Sequence, residues 1–214
     1  MQVNLSMSPN IKKQNTGSVK QARALLQPQA GAFRAGEALK AGVHPRTLYK
    51  MRDQGVIERL GRGMYRFADM PMLGNPDLAT VAMKVPKGVI CLISALSWHE
   101  MTTEIPHEIY LALPRGAEPP RLDYPPLRIF WFSGTAFSEG VEQYDVDGIP
   151  VKVYNPEKTL ADCFKYRNKI GLDVVLEALK FYRQRKRFQA DDLMRYARIC
   201  RVEKVMRPYL EATL

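Results

Sequence analysis

No apolar stretch in this chain approaches the roughly 20 residues that a membrane-spanning helix needs, and the N-terminus lacks the apolar core of a signal peptide. Cysteine is scarce. Cys91, Cys163 and Cys200 stand far apart, with no paired spacing and an odd total. That pattern argues against a disulfide framework or a thiolate metal site and leads us to expect buried, reduced thiols in a cytoplasmic protein. Histidine is equally sparse: His44, His99 and His107 are scattered, and none shares a metal-ligand spacing with a cysteine.

Catalytic patterns are also thin. Ser94, Ser97, His99 and Glu100 fall within one expected helix, whereas a nucleophilic serine elbow needs a Gly-x-Ser-x-Gly turn after a strand. Pro114-Arg115-Gly116-Ala117 lacks the Gly-Lys-Ser/Thr ending of a phosphate-binding loop, and Asp145 and Asp147 flank a strand break and read as a turn. The sequence offers no positive argument for an enzyme, a cofactor or a metal.

Positive charge is what the chain has in excess: 32 Lys and Arg against 22 Asp and Glu, a net +10. Its distribution is uneven. Residues 1–74 carry 12 basic and 4 acidic side chains, residues 75–155 carry 6 and 10, and residues 156–214 carry 14 and 8. A nucleic-acid surface is therefore expected at the N-terminal end and not in the middle.

The N-terminal third has a matching local pattern. Residues 1–17, with Lys12 and Lys13, read as a flexible basic arm. Ser18 and Gln21 form a capping-box spacing that starts a first helix, with Val19, Ala22, Leu25 and Leu26 on one face and Pro28 ending it. A second helix is expected over about 34–41, with Ala35, Ala38 and Leu39 inward and Gly42 closing it in the left-handed conformation. Pro45 suits the first position of a third helix, since its missing N–H has no helical partner there. At 100° per residue, Leu48, Met51 and Gly55 then face a small core, leaving Arg46, Tyr49, Lys50 and Asp53 on the opposite face. After Gly55 the period changes to that of strands: Ile57–Leu60 and Met64–Phe67 are joined by Gly61-Arg62-Gly63. Three short helices and a basic hairpin over residues 18–70 read as a winged helix-turn-helix, with Arg46, Thr47, Tyr49 and Lys50 reading DNA and Arg59, Arg62 and Arg66 forming the wing.

Pro71, Gly74, Asn75 and Pro76 suggest a linker, and residues 77–214 a second domain. Its expected helices lie near 77–85 and 90–101, its strands near 108–113, 127–132, 141–144 and 149–154, and further helices near 157–166, 172–185, 191–199 and 202–210. Helices, then strands, then helices imply an α+β fold with a mixed or antiparallel sheet, flanking helices and a helical C-terminus. Lys158, Asp162 and Lys165 are spaced to lie along one flank of the helix that begins at Asn155-Pro156, with Arg167 and Lys169 just beyond its end. These five residues are a candidate charged surface. Basic residues at a helix end are also favoured by the helix dipole alone.

Several segments taken together resemble a known family. Leu48-Tyr49-Lys50, Gly55-Val56-Ile57-Glu58-Arg59 and Arg62-Gly63-Met64-Tyr65-Arg66 are similar to the N-terminal module of the AbiEi antitoxins of bacterial abortive-infection (type IV toxin–antitoxin) systems. Val89–Leu96, Thr102-Thr103-Glu104-Ile105-Pro106 and Lys158–Phe164 extend the likeness over about residues 20–212. The resemblance implies a winged-helix transcriptional autorepressor that binds double-stranded DNA at inverted repeats in its own promoter. It also implies a second domain that counters a nucleotidyltransferase-like toxin encoded alongside, with a direct complex left open. His44, where the family more often has a small polar cap, and the arm before Ser18 depart from the pattern. The alternative from composition and fold class is an effector-responsive transcription factor whose second domain binds a small molecule.

Overall fold

A computed structural model describes residues 11–26, 32–70, 74–186 and 188–212. The chain divides into two compact units, one comprising residues up to Gly74 together with Val146–Ile149, the other Asn75–Asp145 and Pro150–Leu214.

The first unit contains helix α1 (Ile11–Leu26), strand β1 (Ala32–Arg34), helices α2 (Ala35–Lys40) and α3 (Pro45–Asp53), and strands β2 (Ile57–Gly61) and β3 (Met64–Phe67). Helix α1 starts seven residues before Ser18, so Ser18 lies inside the helix and residues 11–17 of the expected arm are helical. Residues 1–10 and Pro28 lie outside the described residues. Val19, Ala22 and Leu26 are buried as the periodicity requires, but Leu25 is exposed, and Leu39 of α2 is exposed beside fully buried Ala38. Each of these leucines sits one 100° step off the axis of its buried stripe, and the thin apolar layer of so small a unit does not wrap that far. Phe33, Ala38, Leu48, Met51, Ile57, Tyr65 and Phe67 complete this core.

The three strands form one antiparallel sheet in the order β1-β3-β2. Three residues, Ala-Phe-Arg, are too few to carry a strand period, so β1 was not legible in the sequence; its pairing with β3 (Ala32 opposite Arg66, Arg34 opposite Met64) is what makes it a strand. Residues 146–149 join this unit through Asp147, whose carbonyl accepts from Ala32 N at 2.9 Å and whose carboxylate accepts from Gly74 N at 2.7 Å.

The second unit opens with helix α4 (Pro76–Lys84), where Asn75 and Pro76 act as cap and first residue: the Asn75 side chain accepts from Leu78 N at 3.2 Å. Strand β4 (Val89–Ile90) and helix α5 (Leu92–Trp98) replace the single helix expected over 90–101. Two β-branched residues pair with strands on both sides, and Leu92 turns the chain into the helix with a positive φ of 46°. Strands β5 (Ile109–Pro114) and β6 (Leu127–Phe132), the short helix α6 (Thr135–Ser138), and strands β7 (Val141–Val146) and β8 (Ile149–Tyr154) follow. The sheet order is β6-β5-β4-β8-β7, with β4 antiparallel to β5 but parallel to β8, and β5 parallel to β6. It is a mixed sheet, and the fold is α+β.

Five helices complete the unit: α7 (Pro156–Lys165), α8 (Arg167–Ile170), α9 (Leu172–Arg183), α10 (Ala190–Ile199) and α11 (Glu203–Ala212). Helix α7 packs against α5, α9, α10 and α11, and every residue from Lys158 to Phe164 is buried. It is the central rod of the unit. All three cysteines are free and buried, and burial raises each thiol well above its ordinary ionisation range, so none is a ready nucleophile.

Candidate nucleic-acid interface

The exposed face of α3 is set by how the chain enters and leaves the helix. Gly42, at φ 93°, supplies the left-handed turn, with Gly42 N bonded to Leu39 O at 3.0 Å and Val43 N to Ala38 O at 3.0 Å. His44 then caps α3: its Nδ1 accepts from Arg46 N at 3.2 Å, and Pro45 takes the first helical position. The imidazole thus does the work of the small polar cap it replaces. At the far end Gly55, at φ 68°, is exposed and closes the helix instead of facing the core, with Val56 N bonded to Met51 O at 2.9 Å.

With Leu48 and Met51 fixed inward, Arg46 and Tyr49 are exposed, while Thr47 and Lys50 are half-buried. The Arg46 guanidinium has no side-chain partner among the described residues. Arg52, which no helical spacing singles out, is exposed on the same helix, but Asp53 Oδ1 accepts from its Nε at 2.9 Å and from its Nη2 at 2.7 Å, and the guanidinium lies 5.3 Å from the Tyr49 ring. That hydrogen-bonded carboxylate raises the Arg52 pKa and neutralises the charge locally.

The wing sorts its three arginines in the same way. Gly63, at φ 71°, closes the turn between β2 and β3, and a register shift lies between Arg59 and Gly61. Arg59 Nε donates to Gly61 O at 3.0 Å, which ties it to its own hairpin. Arg66 stands directly across the ladder from Glu58 and is ion-paired with it, its side chain only 13% exposed. Arg62, at the tip, is exposed and has no side-chain partner among the described residues. Of the arginines on α3 and the wing, Arg46 and Arg62 are therefore the two left open to a phosphate or a base edge.

Residues 20–68 match the family model described as the AbiEi antitoxin transcriptional regulator. Over this segment the chain is similar to the AbiEi antitoxin regulators. The match ends before the second unit. Comparison with curated proteins gives no match. Among solved structures, the crystal structure of the RV2827C protein from Mycobacterium tuberculosis is similar over 92% of this chain and 81% of that one, at TM-score 0.51 and 10% identity. At that identity the likeness is one of fold.

The candidate charged surface of the second unit is not what the AbiEi resemblance and the helical spacing led us to expect. Lys158 and Asp162 are 0% and 1% exposed and form an ion pair with each other, so neither belongs to any surface. Lys158 Nζ lies 4.1 Å from the Tyr154 ring centre and 4.9 Å from that of Phe132, and Cys200 Sγ donates to Asp162 Oδ1 at 3.1 Å. Burial pushes the Asp162 carboxyl above the usual range, against the opposing pull of Lys158. Gly140 makes room for the pair: at φ 74° a side chain there would be strained, and a Cβ would sit 2.7 Å from Lys158 Cβ. The i, i+4 spacing does bring the two side chains together, but over Lys158–Phe164 the helix is enclosed on all sides and has no solvent flank for that spacing to mark. Lys165 and Lys169 are exposed around the half-buried Tyr166 ring at 6.0 and 5.8 Å, and Arg167 is half-buried with Nη1 donating to Phe164 O at 3.0 Å.

Among the described residues no helix is long and apolar enough to cross a membrane, and no group of three His, Cys, Asp or Glu side chains is placed to hold a metal ion.

Proposed function

We propose that this protein is a DNA-binding autorepressor and antitoxin of a type IV toxin–antitoxin system. In this reading α3 enters the major groove of the protein's own promoter, Arg46 and Lys50 contact base edges with Thr47 and Tyr49 assisting, and Arg62 reaches phosphate or the minor groove. Arg59 and Arg66 hold the wing in shape. The observation that carries the reading is the pair of unpartnered cations, Arg46 and Arg62, presented by a module that matches the AbiEi regulators. The second unit counters a nucleotidyltransferase-like toxin, with Lys165, Arg167 and Lys169 as the cationic surface that opposes it. Lys158 and Asp162 are excluded from that surface by their burial.

The DNA arm is tested by titrating the promoter with an Arg46→Ala/Lys50→Ala variant. Loss of a base-reading Arg costs about 1–3 kcal/mol and relaxes sequence preference, whereas loss of a phosphate contact weakens all sequences alike and flattens the salt dependence. Unchanged promoter affinity sinks this arm. The antitoxin arm is tested by co-expressing the adjacent gene product with a Lys165/Arg167/Lys169→Gln triple variant and scoring growth. If the variant is folded, binds promoter and still protects fully, the cationic surface plays no part.

A further inference from the structure

A cavity of about 440 Å³ opens in the second unit where the N-terminal ends of α7 and α10 meet the end of α9 and strand β7. Its walls include Glu157 and Arg185, both half-buried and of opposite charge, yet no ion pair joins them to each other or to any other described residue. Each is instead held by a neutral group. The Tyr182 hydroxyl donates to Glu157 Oε1 at 2.5 Å, and Arg185 Nη2 donates to the His99 carbonyl. Tyr196, 4% exposed, also lines the cavity; its hydroxyl accepts from Asn155 Nδ2 at 2.9 Å, and its own O–H has no acceptor among the described residues. Arg195 is already committed, paired with Glu139 at 3.3 Å and Asp192 at 3.5 Å and stacked 4.3 Å over the Tyr196 ring, so it forms a wall rather than a free charge.

Two fixed opposite charges, partly removed from water and facing one cavity without pairing, are costly unless something bridges them. The group that satisfies both at once carries a cation and an anion a few bonds apart. We propose that this cavity binds a small zwitterion of the amino-acid type, with its ammonium on Glu157 and its carboxylate on Arg185 and the Tyr196 O–H. Glu142, a further carboxylate of the wall that has no ion-pair partner among the described residues and accepts only from the Tyr144 hydroxyl, selects a basic side chain. The volume lies within the range of small-molecule sites, and the anchoring of both charged groups by Tyr182 and His99 pre-organises the site, so little ordering cost falls on binding. This inference is independent of promoter binding and of toxin neutralisation.

The test is titration calorimetry of the full chain with L-arginine and L-lysine, alongside agmatine, which lacks the carboxylate, and N-acetyl-L-arginine, which lacks the ammonium. L-arginine binds, and agmatine and N-acetyl-L-arginine each bind at least about tenfold more weakly than it does. Glu157→Gln and Arg185→Gln each lower affinity by a similar factor; Tyr196→Phe, which removes one hydroxyl from an otherwise unchanged ring, lowers it severalfold and serves if the other variants fail to fold. The proposal is overturned if L-arginine gives neither heat nor a thermal shift at about 10 mM, if the truncated probes bind as well as arginine, or if folded variants bind as the parent does.

Discussion

The two units treat charge in opposite ways. Among the described residues the buried polar or charged side chains are Ser94, His99, Lys158, Thr159 and Asp162, and all of them belong to the second unit. The first unit has a wholly apolar interior and places its cations outside, some tied to neighbouring carboxylates and some not. A small module with a thin core has no interior in which a charge could be satisfied, whereas the second unit encloses α7 from Lys158 to Phe164 and has rings, a thiol and a carboxylate to surround an ammonium group. A charged side chain of the first unit therefore lies at the surface, whereas one in the second can be part of the core.

The largest expected effect comes from breaking the buried pair. Lys158→Met leaves Asp162 without its ion-pair partner, and unfolding in urea should show a loss of about 3–5 kcal/mol, while Lys158→Met/Asp162→Leu should recover most of it. A single variant that loses less than about 1 kcal/mol would mean that the pair is solvated and the contrast between the units is false.

A smaller effect separates the two kinds of arginine in the wing. Arg62→Ala should weaken promoter binding with unfolding unchanged, since its side chain meets nothing described. Arg66→Ala removes the cross-strand pair with Glu58 and should lower stability by about 1 kcal/mol while affecting promoter affinity less. The reverse ranking in a filter-binding or anisotropy titration would place Arg66, not Arg62, at the DNA.

The smallest effect is a pH dependence confined to the second unit. His99 Nε2 donates to the Tyr154 carbonyl at 2.7 Å, and burial lowers its pKa below the ordinary 6.5. The unfolded chain then takes up the proton first, so stability is full above about pH 6.5 and is lost as pH falls toward the depressed folded value. His99→Gln should flatten that slope in denaturation series between about pH 7 and pH 5. An unchanged slope would assign the acid sensitivity to other groups.

Most of the first unit was legible because its signals are local. Gly42, Pro45 and Gly63 each occupy the turn or helix end that their backbone preferences specify, and Leu48 and Met51 fix which face of α3 points outward. What local pattern could not give were the partners: that Glu58 stands opposite Arg66, that Asp53 holds Arg52, and that β1 exists at all. Those follow from strand register and side-chain reach.

By itself the sequence determined the order and type of most elements, the α+β class and the N-terminal position of the available positive charge, because propensity, capping and periodicity act over a few residues. Only the tertiary structure decided which charges are available. The spacing of Lys158 and Asp162 is the same whether α7 lies on a surface or at the centre of a unit, and it is the packing of α5, α9, α10 and α11 around it that turns an expected surface into a buried ion pair. The same packing brings Glu157, Arg185 and Tyr196, from three separate segments, around one cavity.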